Sequence, residues 1–344
     1  MSGSHALIEA AFGRPHHRIP VWFMRQAGRY LPEYRALRQK HSFLEMCHTP
    51  EVAAEVTLQP VRRFDLDAAI VFSDILVFLP AMGLPVEFPE GGPRVSTPIR
   101  TPEDAARLRP LDTSRHIPEI YEAVSICANQ LGGAIPLFGF CGAPFTLACY
   151  AIEGQGSKEF SKARAFLHRH EEAGRRLLAT LADSAANHLA AQVRAGANVV
   201  QVFDTWSGLL SRDDFEQFSR PYIERIVAAV KPLGVPVFVF ARGVPAAWQV
   251  GMGAHVYSLD WRADLVEARG ALSPAGVQGN LDPVLLASSK PKSAAAATAI
   301  CESMRDAEAF IFNLGHGVLP ETPVENVAAV LDAVHAVSHR RSAS

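Results

Sequence analysis

The sequence predicts an α/β fold, a single-domain (β/α)8 TIM barrel, from three observations. Short apolar runs recur eight times along the 344 residues. Most of these runs are continuously apolar rather than alternating, the pattern of strands buried on both faces. Stretches of helical character separate them, and strand alternating with helix makes a parallel sheet. Eight such units point to a closed barrel. A doubly wound open sheet is the alternative. Against it, no G-x-G-x-x-G turn follows the first strand.

In chain order the strands are expected at RIPVWFM (18–24), DAAIVF (67–72), IPLFGF (135–140), NVVQVF (198–203), PVFVFA (236–241), HVYSLD (255–260), GVQGN (276–280) and AFIFNLG (309–315). A helix is expected over 50–64, where Thr49 stands as the cap and Pro50 takes the first position. Another opens with Thr-Pro-Glu-Asp and covers 102–109. Residues 161–195 read as one long or broken helix, and 212–232, 263–270, 292–306 and 323–338 complete the set. One stretch breaks the rhythm. GLPVEFPEGGPRVSTPI (83–99) alternates around Gly91-Gly92, as a β-hairpin inserted into a βα loop would. No internal repeat or long linker divides the chain. Residues 1–344 therefore form one domain, with a core from about 12 to 338 and frayed termini.

Composition narrows the function. Apolar residues make up 49%, an ordinary globular share. No apolar run reaches the roughly 18 residues of a membrane helix, and MSGSHALIEAAFGRPHHR lacks the pattern of a signal peptide. A cytoplasmic protein is expected. The five cysteines are odd in number and none is spaced as a zinc or redox pair. Thirteen histidines form no HExxH or other ligand-spaced cluster, so no metal is expected. Charge is unevenly spread. Arg14 to Lys40 carries a net of +6 in a chain of −2. The acidic remainder disfavours a nucleic-acid face, and a small polyanion fits better. Arg35 and Arg38 also have a plainer reading, as a solvated helix face.

Barrel enzymes place their chemistry at the C-terminal ends of the strands. Here those ends carry Arg25, Ser73-Asp74, Cys141-Gly142, Asp204-Thr205, Arg242-Gly243, Asp260-Trp261, Asn280-Asp282 and His316. Arginines around one or two acids suit a substrate with several carboxylates, because the planar guanidinium donates two parallel hydrogen bonds. Two stretches go further. P-x-W-x-M-R-Q-A-G-R is matched from Pro20 through Trp22, Met24, Arg25, Gln26, Ala27, Gly28 and Arg29, and GFCGAPFTLACY spans 139–150. Together they resemble the two signature motifs of the uroporphyrinogen decarboxylase family. FSDIL (72–76), QGNLDP (278–283) and NLGHG (313–317) are similar to further blocks of that family in the same order. The resemblance spans about residues 12 to 330.

The resemblance implies a (β/α)8 barrel, usually a homodimer, with neither metal nor organic cofactor. It implies decarboxylation of the four acetate side chains of uroporphyrinogen III to methyls, giving coproporphyrinogen III on the route to haem. A substrate with eight carboxylates accounts for the arginines after the first strand. By resemblance, Asp74 lies at the centre of the substrate and accepts from pyrrole N–H groups. Its own local reading is a helix cap. Arg25 and Arg29 are expected to bind carboxylates, and Arg25 is also a candidate proton donor. Gln26 and Ala27 are expected to offer main-chain N–H groups, and Gly28 to let the backbone approach the ligand. Tyr150 is a candidate for bonding an acetate or Asp74, with plain core as its other reading. Thr205 keeps a hydroxyl where the family often has serine. His316 is expected at a propionate, Phe203 against the macrocycle, and Arg38 at the cleft mouth or on the helix surface. The chain departs from the family pattern at Val244-Pro245, and Arg242 receives no role. Two rivals remain: a corrinoid or thiol methyltransferase of the same superfamily, and a porphyrin carrier without turnover.

Overall fold

The computed structural model describes residues 5–89 and 91–342. Its centre is a parallel sheet of seven strands, β1 (Ala69–Ile70), β4 (Leu137–Gly142), β5 (Val199–Asp204), β6 (Val237–Ala241), β7 (Val256–Ser258), β8 (Gly276–Leu281) and β9 (Phe310–Leu314), paired in that order. The hairpin expected between 83 and 99 is present as β2 (Val86–Glu87) and β3 (Arg94–Val95), with Val86 opposite Val95.

The first of the eight expected strands closes the barrel with a single bridge. Val21 bridges Phe312 of β9 in parallel. Phe312 donates its N–H to the Pro20 carbonyl at 2.8 Å. On the other side no ladder forms. The Asp67 N–H donates to the Val21 carbonyl at 2.8 Å, and the Val21 N–H donates to the Asp67 carboxylate at 2.8 Å. The Asp67 side chain thus takes the place of a main-chain acceptor for the Val21 N–H. Arg18 pairs with the other oxygen of Asp67.

Apolar strands bury two faces. Inside the barrel, Trp22 stacks on Phe138 at 4.3 Å, and Phe138 meets Phe238 edge-on. The Trp22 indole donates to Gln278 at 2.8 Å, and Gln278 donates in turn to Ser258. A buried indole N–H needs such a partner. The packed body begins before residue 12. Helix Ala6–Ala11 sets Leu7, Ala10 and Ala11 in the same cluster as Trp22 and Ile311. At the other end, where fraying is expected from about 338, the last helix, Val324–Ser342, continues instead; residues 1–4 and 343–344 lie outside the described residues.

Helix positions follow the sequence signals with physical exceptions. Pro50–Arg63 lies where expected, but the Thr49 side chain makes no capping bond. Pro102–Ala106 has the capping box of Thr101 and Asp104. It stops early because Arg109 donates its N–H to the Met82 carbonyl under the hairpin. The expected 161–195 helix breaks at His170 into Ser161–Arg169 and Glu171–Arg194. The 212–232 helix breaks at Ser219 into Arg212–Phe218 and Arg220–Val230. Helix Pro118–Leu131 was not expected, although Pro118 in its first turn and left-handed Gly132 at its end are ordinary boundary signals. Among the described residues no helix is long and apolar enough to cross a membrane.

Candidate active site

The strand ends converge on one mouth of the barrel. Its floor is a row of edge-to-face aromatics. Phe140 meets Phe203 at 5.6 Å, Phe203 meets Phe240 at 6.2 Å, and Phe240 meets His316 at 5.8 Å. An apolar floor of this kind suits a flat, partly apolar ring system.

Arg25 stands on this rim in an unusual backbone. It is exposed and has φ of +60°, a left-handed conformation that costs a non-glycine residue about 1–2 kcal/mol. Neighbouring bonds hold it there. Phe23 donates its N–H to the Gln26 side chain, and Met24 donates to Asn313, both at 3.0 Å. Val318 donates to the Met24 carbonyl at 2.9 Å. The stem of Arg25 lies over Gly317, where a β-carbon would collide with it, reaching 2.6 Å from Cγ. Gly317 is not in the left-handed region, so alanine there tests space alone. Gly317→Ala is expected to shift Arg25 and lower kcat/KM at least ~10-fold, with every charge retained. Steady-state kinetics check it, and unchanged kcat/KM would show that Gly317 does not aim Arg25.

Asp74 follows β1. It is half-buried. One carboxylate oxygen accepts from the Leu76 N–H at 2.8 Å, inside a turn rather than at a helix start. The local bond expected of a cap is thus present, but the helix is not. The second oxygen makes no hydrogen bond among the described residues and can receive a ligand. Burial pushes the Asp74 carboxyl above its ordinary range, against the Leu76 bond and the Arg25 charge.

Tyr150 lies on helix Pro144–Glu153, with its ring against Phe160 at 5.6 Å and Trp206 at 6.4 Å. Burial raises its hydroxyl, and the negative charge of Asp74 adds to this while Arg25 opposes it. The same three groups, Arg25, Asp74 and Tyr150, therefore act on one another. One turn earlier on this helix, Thr146 donates to buried Asp204 at 2.6 Å. Ser219 donates to the other Asp204 oxygen at 2.5 Å. Asp204 ends β5 and thereby ties the helix of Tyr150 to the strand that presents half-buried Thr205.

His316 accepts the Gly317 N–H on Nδ1 at 2.6 Å. That leaves Nε2 to carry the proton of the neutral ring and to donate. Burial, with Arg25 and Arg242 nearby, pulls its pKa down to about 3. Buried His188, tilted against Phe78 and bonded by Tyr121 at 3.1 Å, is pulled down by burial to about 3 as well. Both are neutral in the fold above that pH, whereas the unfolded chain takes up protons below about 6.5. Each therefore contributes stability that is complete above about pH 6.5 and is lost as pH falls toward 3. In labelled protein, neither ring should titrate between pH 7 and 5 by NMR. A midpoint near 6.5 for either would contradict this.

The remaining expected residues divide. Arg29 is exposed, without an ion pair among the described residues, and lies beside Tyr34. Ala27 and Gly28 are half-buried in the same loop. Gln26 is spent on the fold. It is fully buried, its side chain donates to the Ala68 carbonyl, and its N–H donates to the Phe23 carbonyl at 3.0 Å. Its main chain is thus not offered to a ligand. The hydrogen of Gly28 faces the Arg25 carbonyl, 3.1 Å from where a β-carbon would stand. The close approach it permits is therefore to the chain's own loop. Arg35 donates to the carbonyls of Arg29 and Tyr30, and Arg38 to that of His41. Both pin backbone rather than face solvent unused.

The family model and the curated relatives point to one family. The family model described as uroporphyrinogen decarboxylase (URO-D) matches residues 3–337. The chain belongs to the uroporphyrinogen decarboxylase family. It is 43% identical over 342 residues to the uroporphyrinogen decarboxylase of Anaeromyxobacter dehalogenans, covering 97% of this chain and 99% of that one. It is 42% identical over 340 residues to that of Geobacter metallireducens, covering 98% and 100%. Among solved structures, a methyltransferase from Methanosarcina mazei superposes with a TM-score of 0.77 over 96% of this chain and 97% of its own, at 20% identity. That likeness shows the shared barrel.

Within this member of the uroporphyrinogen decarboxylase family, sequence reasoning gave three rim residues no role. Arg242, at the end of β6, acts electrostatically on His316. Asp204 and Trp206 brace Tyr150. The signal for Arg242 and Asp204 was the one used elsewhere, a polar residue directly after an apolar run. The Val244-Pro245 departure lines a separate cavity of about 400 Å³ with Asp260, Arg262 and Glu267; Arg25, Asp74, Tyr150 and His316 take no part in its lining. Among the described residues no group of three or more His, Cys, Asp or Glu side chains could hold a metal ion. All five cysteines are buried.

Proposed function

We propose that this chain decarboxylates the four acetate side chains of uroporphyrinogen III, giving coproporphyrinogen III and four carbon dioxide molecules without a cofactor. One observation carries the assignment of roles. Half-buried Asp74 has one oxygen fixed by Leu76 and the other open, within electrostatic reach of Arg25 and Tyr150.

Each decarboxylation leaves an electron pair that needs a sink. A pyrrole supplies one once a ring carbon beside nitrogen is protonated. The ring becomes cationic, the bond from methylene to carboxylate breaks, and the pair flows into the ring. A proton then adds to the exocyclic carbon and the ring proton leaves. Each cycle consumes one proton and exchanges a carboxylate for hydrogen. The open oxygen of Asp74 accepts pyrrole N–H and offsets the transient positive charge, a preorganised electrostatic effect. Arg25 orients the leaving carboxylate. Tyr150 bonds the same acetate or Asp74. His316 donates through Nε2 to a propionate, and Thr205 and Arg29 serve further carboxylates. The family resemblance supports a homodimer, a cytoplasmic location and no nucleic-acid partner.

The test is incubation of EDTA-treated protein with uroporphyrinogen III in the dark without oxygen. Products are then oxidised and separated by carboxylate number. Successive seven-, six-, five- and four-carboxylate porphyrins are expected. Unchanged eight-carboxylate material from folded protein would overturn the reading in favour of a carrier.

A further inference from the structure

We propose that Arg242 is a further substrate-binding residue, seating one side-chain carboxylate of the macrocycle beside His316; this rests on the proposed function. Three observations carry it.

First, Arg242 is denied the acid beside it. Asp260 is buried, and both its oxygens are filled. One accepts from the Arg262 main-chain N–H and from Arg262 Nε, each at 3.0 Å. The other accepts from the Gly243 N–H at 2.6 Å and Arg262 Nη2 at 2.7 Å. A carboxylate has about four lone-pair sites, and these four donors use them. Arg262 takes the ion pair and leaves its neighbour without one.

Second, Arg242 is held by means that leave its donors unused. Its guanidinium carbon lies 5.6 Å from the centroid of the Trp261 ring, and that of Arg262 lies at the same distance from the same ring. Stacking on an aromatic positions a cation without consuming N–H groups. The Nε of Arg242 is buried and has no hydrogen-bond partner among the described residues. A charged donor kept dry and unpaired is costly, unless a ligand completes it.

Third, the surroundings are short of negative charge. Burial, Arg262 and Arg25 all work against the Arg242 charge, and Asp260 alone favours it. Neutral His316 lies within reach of both Arg25 and Arg242. Arg25, Arg242 and the neutral donor His316 thus act on one another at the rim, and none of the three has an ion pair among the described residues. A carboxylate entering there completes all three. Main-chain placement is firm as well. The Arg242 N–H donates to the Asp204 carbonyl at 3.1 Å, and its carbonyl lies 2.5 Å from where a Gly208 β-carbon would stand.

The experiment compares wild type, Arg242→Gln and Arg242→Lys. Arg242→Gln is expected to raise KM for uroporphyrinogen III by roughly 10- to 100-fold, with kcat within about threefold. Its melting temperature should not fall, because an unsatisfied buried donor has been removed. Arg242→Lys should recover part of the loss. Equilibrium binding of uroporphyrin, read by fluorescence quenching, should weaken by a similar factor. This readout needs no turnover, so it decides the role of Arg242 even if wild type proves inactive and the functional reading fails. Coproporphyrin distinguishes the two carboxylate sources. Equal weakening with coproporphyrin assigns Arg242 to a propionate, and weakening confined to uroporphyrin assigns it to an acetate. Unchanged KM and unchanged porphyrin binding in Arg242→Gln would overturn the proposal, and so would a lower melting temperature with KM unmoved.

Discussion

Asp74→Asn is expected to lower kcat roughly 10³-fold while leaving the fold intact. The amide keeps the size of the carboxylate, and its oxygen can still accept from the Leu76 N–H that Asp74 holds at 2.8 Å. What disappears is the negative charge. Opposite charges about 4 Å apart near a protein surface attract by about 4 kcal/mol at an effective dielectric near 20. Converted at about 1.36 kcal/mol per decade, that is close to three decades of rate. The loss should fall on kcat more than on KM, because the cation exists only beyond the ground state. The seven-carboxylate product should decline with the rest, since every ring needs the same sink. Turnover within tenfold of wild type would remove Asp74 from the mechanism even if the decarboxylase activity itself stands.

Asp204→Ala is expected to cost about 2–4 kcal/mol of folding stability and to impair turnover as well. Asp204 is fully buried at the end of β5 and receives hydroxyl donors from two helices, Thr146 at 2.6 Å and Ser219 at 2.5 Å. Removing the carboxylate leaves both hydroxyls without their acceptor and opens a cavity between β5 and two helix starts. Thr146 is one turn from Tyr150, and Thr205 is the next residue, so the same substitution loosens two sides of the site. Asp204→Asn should fall between wild type and alanine, because an amide can accept from one hydroxyl but presents N–H to the other. Denaturant unfolding measures the first effect and steady-state kinetics the second. An alanine variant as stable as wild type would show that Asp204 does not hold the wall together.

The barrel was legible because its cause is local. A strand buried on both faces must be apolar along its length, and β4, β5, β6, β8 and β9 each lie within a residue or two of an expected run. The hairpin at Gly91-Gly92 was equally plain, since alternation and paired glycines need no distant partner to be seen. Arg25, Asp74 and Tyr150 were placed together by motif, and the structure brings their charges within mutual reach. The sequence by itself therefore determined the fold class and the chemical character of the mouth. Only the tertiary structure decided how each polar group is spent. Gln26 stands inside the first signature motif yet braces Phe23 and Ala68. Arg35 and Arg38 pin carbonyls of their own loop. Arg242 and Arg262 look alike in the sequence, but one forms the ion pair with Asp260 and the other is left within reach of Arg25 and His316. The first strand shrinks to one bridge to β9, and on its other side the Asp67 carboxylate replaces a main-chain acceptor for the Val21 N–H. Hydrogen-bonding capacity is a property of a residue, but its allocation depends on which partners the closed barrel brings within 3 Å. That allocation separates a binding arginine from a structural one.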